Sequence, residues 1–371
     1  MKIYLVGGAV RDKLLGLPVK ERDWVVVGAT VSDMVNLGYR QVGKEFPVFL
    51  HPKTNEEYAL ARMERKINPG YKGFTFDTSP AVTLEDDLIR RDLTINAIAE
   101  DKDGKLIDPY HGKEDLKAKI IRHVSPAFAE DPVRILRVGR FTARYAHLGF
   151  TIAPETITLM RDMVNAGEVD ALVAERVWKE LERALGEKNP EKFFEVLEEC
   201  GALSKLFSQL TAKGTGMDAL IEAAHLTDST IVRFAALLYN IPDAKKDIAA
   251  LCHRYRVPNA YRELAILTAM HYEKTLKEKK LTSDELLSSF SSIDIFRRED
   301  RFKDFVLACT AIAHARKVPF DSNWLTACAA AAKDVDVQAL ITKGFEGNEL
   351  AAKLKEKRRE RIEKWLQENN S

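Results

Sequence analysis

Residues 5–16 read LVGGAVRDKLLG, with Gly7 and Gly8 between a predicted strand and a helix that we expect to begin near Ala9. Glycines at such a point let the backbone approach a phosphate closely, and the helix N-terminus offers free N–H groups and a partial positive charge. Arg11 falls in the first turn of this helix, within reach of the same anion. On its own, the pattern also fits an ordinary tight turn.

The next stretch, ERDWVVV at residues 21–27, carries two acids one residue apart at the entry to an apolar strand. Strand alternation predicts that Glu21 and Asp23 lie on one face, where their hard oxygen donors can hold Mg²⁺ together with the phosphates of a nucleotide. Such a pair fits two-metal phosphoryl transfer. The alternative is a pair of exposed loop acids.

Around these two stretches the sequence predicts an α/β or α+β head followed by helices. Strand-like runs (IYLVGG, DWVVVGA, FPVFLHP, EEYALAR, KLIDPY) alternate with helix-like VRDKLLG and LEDDLIRRDLTINAIA as far as about Tyr110. After about Ser125, segments such as ILRVGRFTARYAHLGF and ERVWKELERAL carry apolar residues at helical spacing. We therefore expect the remaining two-thirds to be all helical.

The composition indicates a multidomain globular protein. The chain has 371 residues, of which 46% are hydrophobic, and its 57 Lys and Arg balance 56 Asp and Glu, so any RNA site must be a local patch. Four widely spaced cysteines fit free thiols rather than a disulfide or zinc module. No run of about 18 apolar residues and no signal segment occurs. We expect a cytoplasmic protein that does not enter a membrane.

Three further motifs follow in order. Residues 90–97 read RRDLTINA, residues 108–116 follow the pattern DPxxGxxDL, and residues 130–134 read EDPVR. Together with GG-x-VRD and the acid pair, they resemble the polymerase-β nucleotidyltransferase superfamily, and specifically the class II tRNA nucleotidyltransferases and bacterial poly(A) polymerases. The resemblance is close to the gammaproteobacterial CCA-adding enzymes and extends through about the first 205 residues.

This resemblance implies an α+β fold, with a polymerase-β-type head and an all-α neck, body and tail. We expect a nucleotidyltransferase head at 1–125, a helical neck with the base-selecting helix at 126–205, and a helical body and tail for tRNA binding at 206–371. The implied reaction is the addition of C, C and A to the tRNA 3′ end from CTP and ATP, with Mg²⁺ and without an obligate protein partner.

The resemblance also implies roles for individual residues. Gly8, Arg11 and Arg91 would hold the incoming triphosphate. Asp131 and Arg134 would recognise the base, since Pro132 fits the first turn of a helix and places Asp131 at or near its N-cap. Glu21 and Asp23 would hold the metal. For Asp92 and Asn96, which the sequence sets one helical turn apart, contact with the nucleotide and bracing of the fold remain equal alternatives.

Other residues have competing interpretations. Arg137, Arg140 and Arg144 continue the stripe of Arg134 at helical spacing. We assign Arg137 and Arg140 to the nucleotide, against the alternative of a solvated face, and leave Arg144 on that face. Glu57 is the candidate third acid near the metals, against the alternative of a surface acid.

The stretch ARMERKINPGYKGFTF, with Glu64 and Arg65, resembles the flexible element that full CCA-adding enzymes use to switch from C to A. It favours complete addition over the alternatives of a poly(A) polymerase or an A-only or CC-only enzyme. Relatives carry an HD phosphohydrolase domain, but this chain has Tyr239-Asn240 where the His-Asp pair belongs. We expect no HD activity, and we interpret His225 and His253 as ordinary residues. A catalytically silent RNA-binding module is the alternative from another class.

Overall fold

The computed structural model of the chain describes residues 1–42, 48–66 and 74–369, and leaves out the side chains of 64–66 and 74–76. The described chain forms two compact units, unit 1 (Met1–Leu210) and unit 2 (Thr211–Ser371). The boundary between the units lies near the expected division at 205/206. The expected head–neck division at 125/126 falls inside unit 1.

The described strands all belong to unit 1, mostly within its first half. Apolar residues run continuously along the longer of them, as a sheet with two covered faces requires. The strands are β1 (Lys2–Val6), β2 (Asp23–Val27), β3 (Arg40–Val42), β4 (Val48–Leu50), β5 (Glu57–Leu60), β6 (Met63–Lys66), β7 (Phe74–Asp77), β8 (Ala99–Glu100), β9 (Leu106–Ile107), β10 (Ile120–Ile121) and β11 (Thr151–Ile152).

Seven of these strands form one mixed sheet in the order β3-β4-β5-β2-β1-β8-β9. The pairing of β2 with β5 is parallel, and the other pairs in this sheet are antiparallel. Val25 of β2 packs into one apolar cluster and Val26 into another, so both faces of the sheet are covered. Asp23 shares the face of Val25 and lies at the beginning of the strand.

The helices of unit 1 surround this sheet and continue beyond it. Capping boxes start two of them, with Thr30 paired to Asp33 and Thr83 paired to Asp86. The helices are α1 (Gly8–Leu14), α2 (Val31–Asn36), α3 (Leu84–Leu88), α4 (Gly112–Ala118), α5 (Val133–Tyr145), α6 (Pro154–Asn165), α7 (Ala174–Leu185), α8 (Glu191–Glu199) and α9 (Ala202–Leu206). Helix α5 packs against both α7 and α8.

Unit 2 is helical throughout its described residues. Its helices are α10 (Thr215–Leu226), α11 (Thr230–Leu237), α12 (Ala249–Tyr255), α13 (Asn259–Thr275), α14 (Ser283–Ile293), α15 (Glu299–Arg316), α16 (Ser322–Lys333), α17 (Val337–Thr342) and α18 (Gly347–Asn369), with a π-helical turn at Ala244–Ile248. The main packing contacts join α10 with α15, α11 with α13, and α18 with both α14 and α16.

Two expectations about secondary structure were wrong in detail. The helix-like stretch LEDDLIRRDLTINAIA ends its α-helix at Leu88 and then forms a 3₁₀ turn at Thr94–Asn96. Asp92 accepts a hydrogen bond from the backbone N–H of Leu93 at 2.9 Å, a local bond that competes with helical pairing. The region after Ser125 is helical except for β11, which pairs in parallel with β10. The expected α+β architecture is otherwise confirmed.

Candidate active site

One cavity of about 980 Å³ lies in unit 1, bounded by α1, the beginnings of β2 and β5, the turn after α3, and helices α5 and α7. All ten residues that the sequence assigned to the site line this cavity, although they are spread over more than a hundred positions. They are Gly8, Arg11, Glu21, Asp23, Glu57, Arg91, Asp131, Arg134, Arg137 and Arg140.

The acids gather at the beginnings of two neighbouring strands. Asp23 lies opposite Glu57 in the parallel register of β2 and β5, and Glu21 precedes β2 by two positions. Asp23 keeps accessible surface inside the cavity, yet its pKa is raised above the ordinary value. Partial burial is the largest cause and raises the pKa, the charge of Arg91 lowers it, and the charge of Glu21 raises it again. The site therefore concentrates negative charge where protein atoms replace much of the water.

These acids fit Mg²⁺ by the chemistry of their donors. Mg²⁺ prefers oxygen ligands and is usually bound through one or two carboxylates together with substrate phosphates. Glu21 and Asp23 supply two such carboxylates. Among the described residues, no group of three or more His, Cys, Asp or Glu side chains is arranged as a metal cage. A metal at this site would thus take its remaining ligands from the nucleotide and water.

The glycine pair brings the backbone close to an arginine. Gly7 has a φ of 68°, and a Cβ atom built at this residue would lie 2.8 Å from Nη1 of Arg91. The Arg91 guanidinium also pairs with Asp87 at 3.2 Å and donates to the carbonyl of Asn96 at 3.5 Å. Glycine at position 7 is therefore needed both for the backbone conformation and for the approach of Arg91.

Arg11 belongs to a buried network at the cavity wall. Its Nε donates to Asp12 at 2.9 Å, Nη1 donates to the side-chain oxygen of Asn96, and the guanidinium lies over the rings of Phe141 and Tyr145. Only 3% of Arg11 is exposed. The head helix α1 thus holds its arginine with partners from α5 and from the turn after α3, which fixes the direction of its side chain.

Asp12 explains why Arg144 does not lie on a solvated face. Nη2 of Arg144 and the hydroxyl of Tyr145 both donate to Asp12 at 2.9 Å. The expectation that Arg144 belongs to a solvated face was wrong, because Asp12 lies 132 positions earlier in the sequence and the helical spacing of α5 contains no sign of it. Arg144 lines the cavity as well.

Asp92 and Asn96 brace the fold. Asp92 accepts from the amide of Asn96 at 2.9 Å and from Nε of Arg137 at 2.7 Å. Burial raises the pKa of Asp92, but the charge of Arg137 and these hydrogen bonds outweigh burial and hold the pKa well below its ordinary value. Of the two alternatives for this pair, the contacts therefore support bracing, although both residues also line the cavity.

The arginines of α5 are paired with acids that the sequence analysis did not single out. Nε of Arg140 donates to Glu180 at 2.6 Å, Arg137 lies 3.7 Å from the other oxygen of Glu180, and Arg140 lies 3.8 Å from Glu187. Glu180 is 5% exposed. The signal in the sequence was a glutamate on the apolar side of the amphipathic helix α7, where an unpaired charge would be costly.

The two base-selecting candidates are held by different parts of unit 1. Arg134, 8% exposed, donates to the carbonyls of Ala127 at 2.8 Å and Arg90 at 2.7 Å. Asp131 immediately precedes the N-cap Pro132 of α5 and forms a bidentate pair with Arg176 of α7, at 3.0 and 2.7 Å. The sequence analysis missed Arg176, which also lines the cavity.

The remaining expectations concern residues that the sequence analysis did not assign to the cavity. Within ARMERKINPGYKGFTF, the side chains of Glu64 and Arg65 and the whole of 67–73 lie outside the described residues. In unit 2, Tyr239 is buried against Tyr272, and the amide of Asn240 donates to Thr215 at 3.0 Å. His225 and His253 are exposed. None of the helices in the described ranges has the length and apolarity that a membrane crossing requires.

Two family models match the chain. The Poly A polymerase head domain matches residues 3–122, and the probable RNA- and SrmB-binding site of polymerase A matches residues 149–213. The chain is 50% identical to the Multifunctional CCA protein of Thioalkalivibrio sulfidiphilus over 396 aligned positions, covering 96% of this chain and 97% of that protein. It is 51% identical to the CCA-adding enzyme of Coxiella burnetii over 362 positions, covering 98% and 95%.

Solved structures agree with the fold. A CCA-adding enzyme in apo form II superposes with a TM-score of 0.73 at 21% identity, over 99% of this chain and 90% of that one. A tRNA nucleotidyltransferase complexed with a primer tRNA and an incoming ATP analogue superposes with a TM-score of 0.65 at 25% identity, over 85% and 92%.

Proposed function

The chain belongs to the family of class II CCA-adding enzymes, and on that basis we propose that it completes tRNA by adding C, C and A to the 3′ end from CTP and ATP. The observation that carries the proposal is that one cavity of unit 1 collects the glycine loop, the strand acids and the EDPVR helix. In such a reaction the protein contributes chiefly positioning and charge stabilisation.

In the reaction, the 3′-hydroxyl oxygen of the tRNA forms a bond to the α-phosphorus of the nucleotide. The bond from that phosphorus to the bridging oxygen breaks, and pyrophosphate leaves. Glu21 and Asp23 would hold Mg²⁺, and Glu57 lies opposite Asp23 as the third acid. When bound, the metal lowers the pKa of the attacking hydroxyl and neutralises charge on the phosphates.

The triphosphate is bound by the cationic wall of the cavity. Gly8 allows close approach of the backbone at the start of α1, while Arg11, Arg91, Arg137 and Arg140 provide the positive charge. Each of these arginines already contacts a carboxylate of the protein, so its side chain is ordered before the nucleotide arrives. An ordered cation loses less conformational entropy on binding than a mobile surface side chain does.

Asp131 and Arg134 select the base. A carboxylate accepts hydrogen bonds and a guanidinium donates them, so the pair matches the amino group and the ring acceptor that cytosine and adenine both present. The tRNA body is bound by helices of 206–371. The four cysteines of the chain are buried free thiols, which fits a reducing cytoplasm. No protein partner is required by this reaction.

The decisive experiment uses purified chain, Mg²⁺ and labelled tRNA that ends at the discriminator base, with CTP alone, ATP alone and both together. We expect two additions with CTP and one more when ATP is present. A long A ladder would identify a poly(A) polymerase, and a halt at CC with both nucleotides would identify a partial enzyme. No release of pyrophosphate from CTP in the presence of tRNA would leave only a silent RNA-binding module.

A further inference from the structure

Arg176 and Asp131 form a two-point charged contact at the start of the base-selecting helix. Both terminal nitrogens of Arg176 donate to Asp131, Nη1 to Oδ1 at 3.0 Å and Nη2 to Oδ2 at 2.7 Å. The two side chains are about 30% and 23% exposed and both line the cavity. A bidentate arginine fixes the plane of a carboxylate as well as its charge.

A third donor reaches the same carboxylate. The backbone N–H of Val133 donates to Oδ1 of Asp131 at 3.2 Å. A carboxylate offers about four lone-pair positions. Within the described residues, the two N–H groups of Arg176 and the one of Val133 occupy three of them, two on Oδ1 and one on Oδ2. The position that remains for an incoming base is therefore on Oδ2, in an orientation set by Arg176.

We propose that Arg176 is a positioning residue for nucleotide selection: it aligns Asp131 so that Oδ2 accepts a hydrogen bond from the amino group of an incoming C or A. Cytosine and adenine carry an amino donor at this edge, whereas uracil and guanine carry a carbonyl acceptor there. Against a carboxylate held in place, that carbonyl finds no donor and faces a negative charge. The inference rests on the proposed function, which it deepens.

The structure separates this role from the rest of the site. Arg134 is held by the carbonyls of Ala127 and Arg90, whereas Arg176 holds Asp131. The triphosphate candidate Arg140 is paired with Glu180. A change at Arg176 should thus loosen the orientation of Asp131, lower kcat/KM for CTP and ATP and relieve part of the penalty against UTP and GTP, while triphosphate binding changes much less.

The test compares Arg176→Lys and Arg176→Met with Lys179→Arg and Lys179→Met, because Lys179 lies on the same helix, is exposed and lies outside the cavity. Lysine keeps the charge but cannot form the fork-like pair. The measurement is kcat/KM for incorporation of CTP against UTP on tRNA lacking CCA, and of ATP against GTP on tRNA ending in CC.

For both Arg176 variants we expect the CTP/UTP and ATP/GTP ratios to fall roughly tenfold to a hundredfold, the value of a hydrogen bond to a charged group. The Lys179 variants should keep the ratios of the unaltered chain. A merely structural role would lower kcat/KM for all four nucleotides by the same factor and leave the two ratios unchanged. That result would overturn the inference. If Arg176→Met does not fold, the two ratios measured for Arg176→Lys test the inference.

A double-variant cycle with Asp131→Ala supplies an independent check. If Arg176 acts through Asp131, adding Arg176→Lys to Asp131→Ala produces no further loss of discrimination, whereas independent effects would multiply. The unaltered chain reports on the proposed function in the same assay. Failure to add C, C and A rejects that function and the role of Arg176 with it; correct addition with unchanged ratios in the variants rejects the role of Arg176 alone.

Discussion

Nε of Arg137 donates to Oδ2 of Asp92 at 2.7 Å across 45 positions of the chain. This bond joins the turn that follows Arg91 to the helix that begins just after Asp131, and so connects the proposed triphosphate side of the cavity with the proposed base-selecting side. The other oxygen of Asp92 accepts from Asn96, whose own oxygen accepts from Arg11. One continuous chain of hydrogen bonds therefore links α1, the 3₁₀ turn and α5.

Replacing Asp92 with Asn should lower the free energy of unfolding by about 3 kcal/mol, since removal of one partner leaves a largely buried cation without its main counter-charge. Arg137 would keep Glu180, at 3.7 Å, and the weaker influence of the Asp131 charge. Urea denaturation measures the difference. The exposed Asp103→Asn is the matched control and should change stability by less than about 0.5 kcal/mol. Equal stability of the two variants would contradict a bracing role for Asp92.

The same pair predicts a dependence on acid pH. The pKa of Asp92 in the folded chain lies below its ordinary value of 3.8, because Arg137 and Asn96 favour the charged form against the effect of burial. The stability that Asp92 contributes is therefore fully present above pH 3.8 and is lost as the pH falls through the lower folded-state pKa. The difference in stability between the unaltered chain and Asp92→Asn should begin to narrow at about pH 4 and narrow further as the pH falls; a constant difference would show that ionisation of Asp92 is not involved.

The sequence predicted the parts of the site that local spacing defines. Strand alternation and the glycine pair indicated β1, β2 and α1, and the family motifs indicated the ten residues that share the cavity. It gave no sign that Arg176 pairs with Asp131, since a partner on another helix leaves no local pattern. For Glu180 it offered only the position on the apolar side of α7, which does not identify Arg140 as the partner. It also predicted helix beyond Leu88, where the side chain of Asp92 instead bonds to the nearby backbone and to Arg137.

Replacing Asp23 with Asn should abolish nucleotide incorporation while tRNA binding, measured by filter retention, remains. Burial raises the pKa of Asp23, so its charged form costs stability in the folded chain relative to the unfolded chain. In buffer without divalent metal, the variant should therefore melt at a higher temperature than the unaltered chain. Mg²⁺ with CTP should raise the melting temperature of the unaltered chain and not that of Asp23→Asn.

Asp103→Asn again serves as the matched control, because Asp103 is exposed and lies outside the cavity. Its activity and its response to Mg²⁺ should equal those of the unaltered chain. Turnover retained in Asp23→Asn would remove Asp23 from the metal site, and a lower melting temperature in metal-free buffer would show that the carboxylate stabilises the fold.

Alanine variants of Gly7 and Gly16 distinguish the effect of backbone strain from the effect of displacing Arg91. Both glycines have a φ of 68°, but only Gly7 lies next to an arginine. Alanine at either position should cost about 1–3 kcal/mol of stability, the penalty of a positive φ for a residue with a Cβ atom, with the larger loss at Gly7, whose ψ of −126° lies outside the left-handed helical region. At Gly16 that atom meets nothing within 4 Å, whereas at Gly7 it would lie 2.8 Å from Nη1 of Arg91. The flexible end of Arg91 must then move away from the start of α1.

We therefore expect Gly7→Ala to raise KM for CTP and ATP by roughly tenfold, equivalent to one lost charge-assisted contact, and Gly16→Ala to leave KM unchanged. The ratio of CTP to UTP use should remain that of the unaltered chain in both variants, since neither touches Asp131 or Arg176. Steady-state kinetics together with thermal unfolding distinguish the outcomes. Equal KM values in the two variants would mean that the proximity of Arg91 to Gly7 has no part in binding the triphosphate.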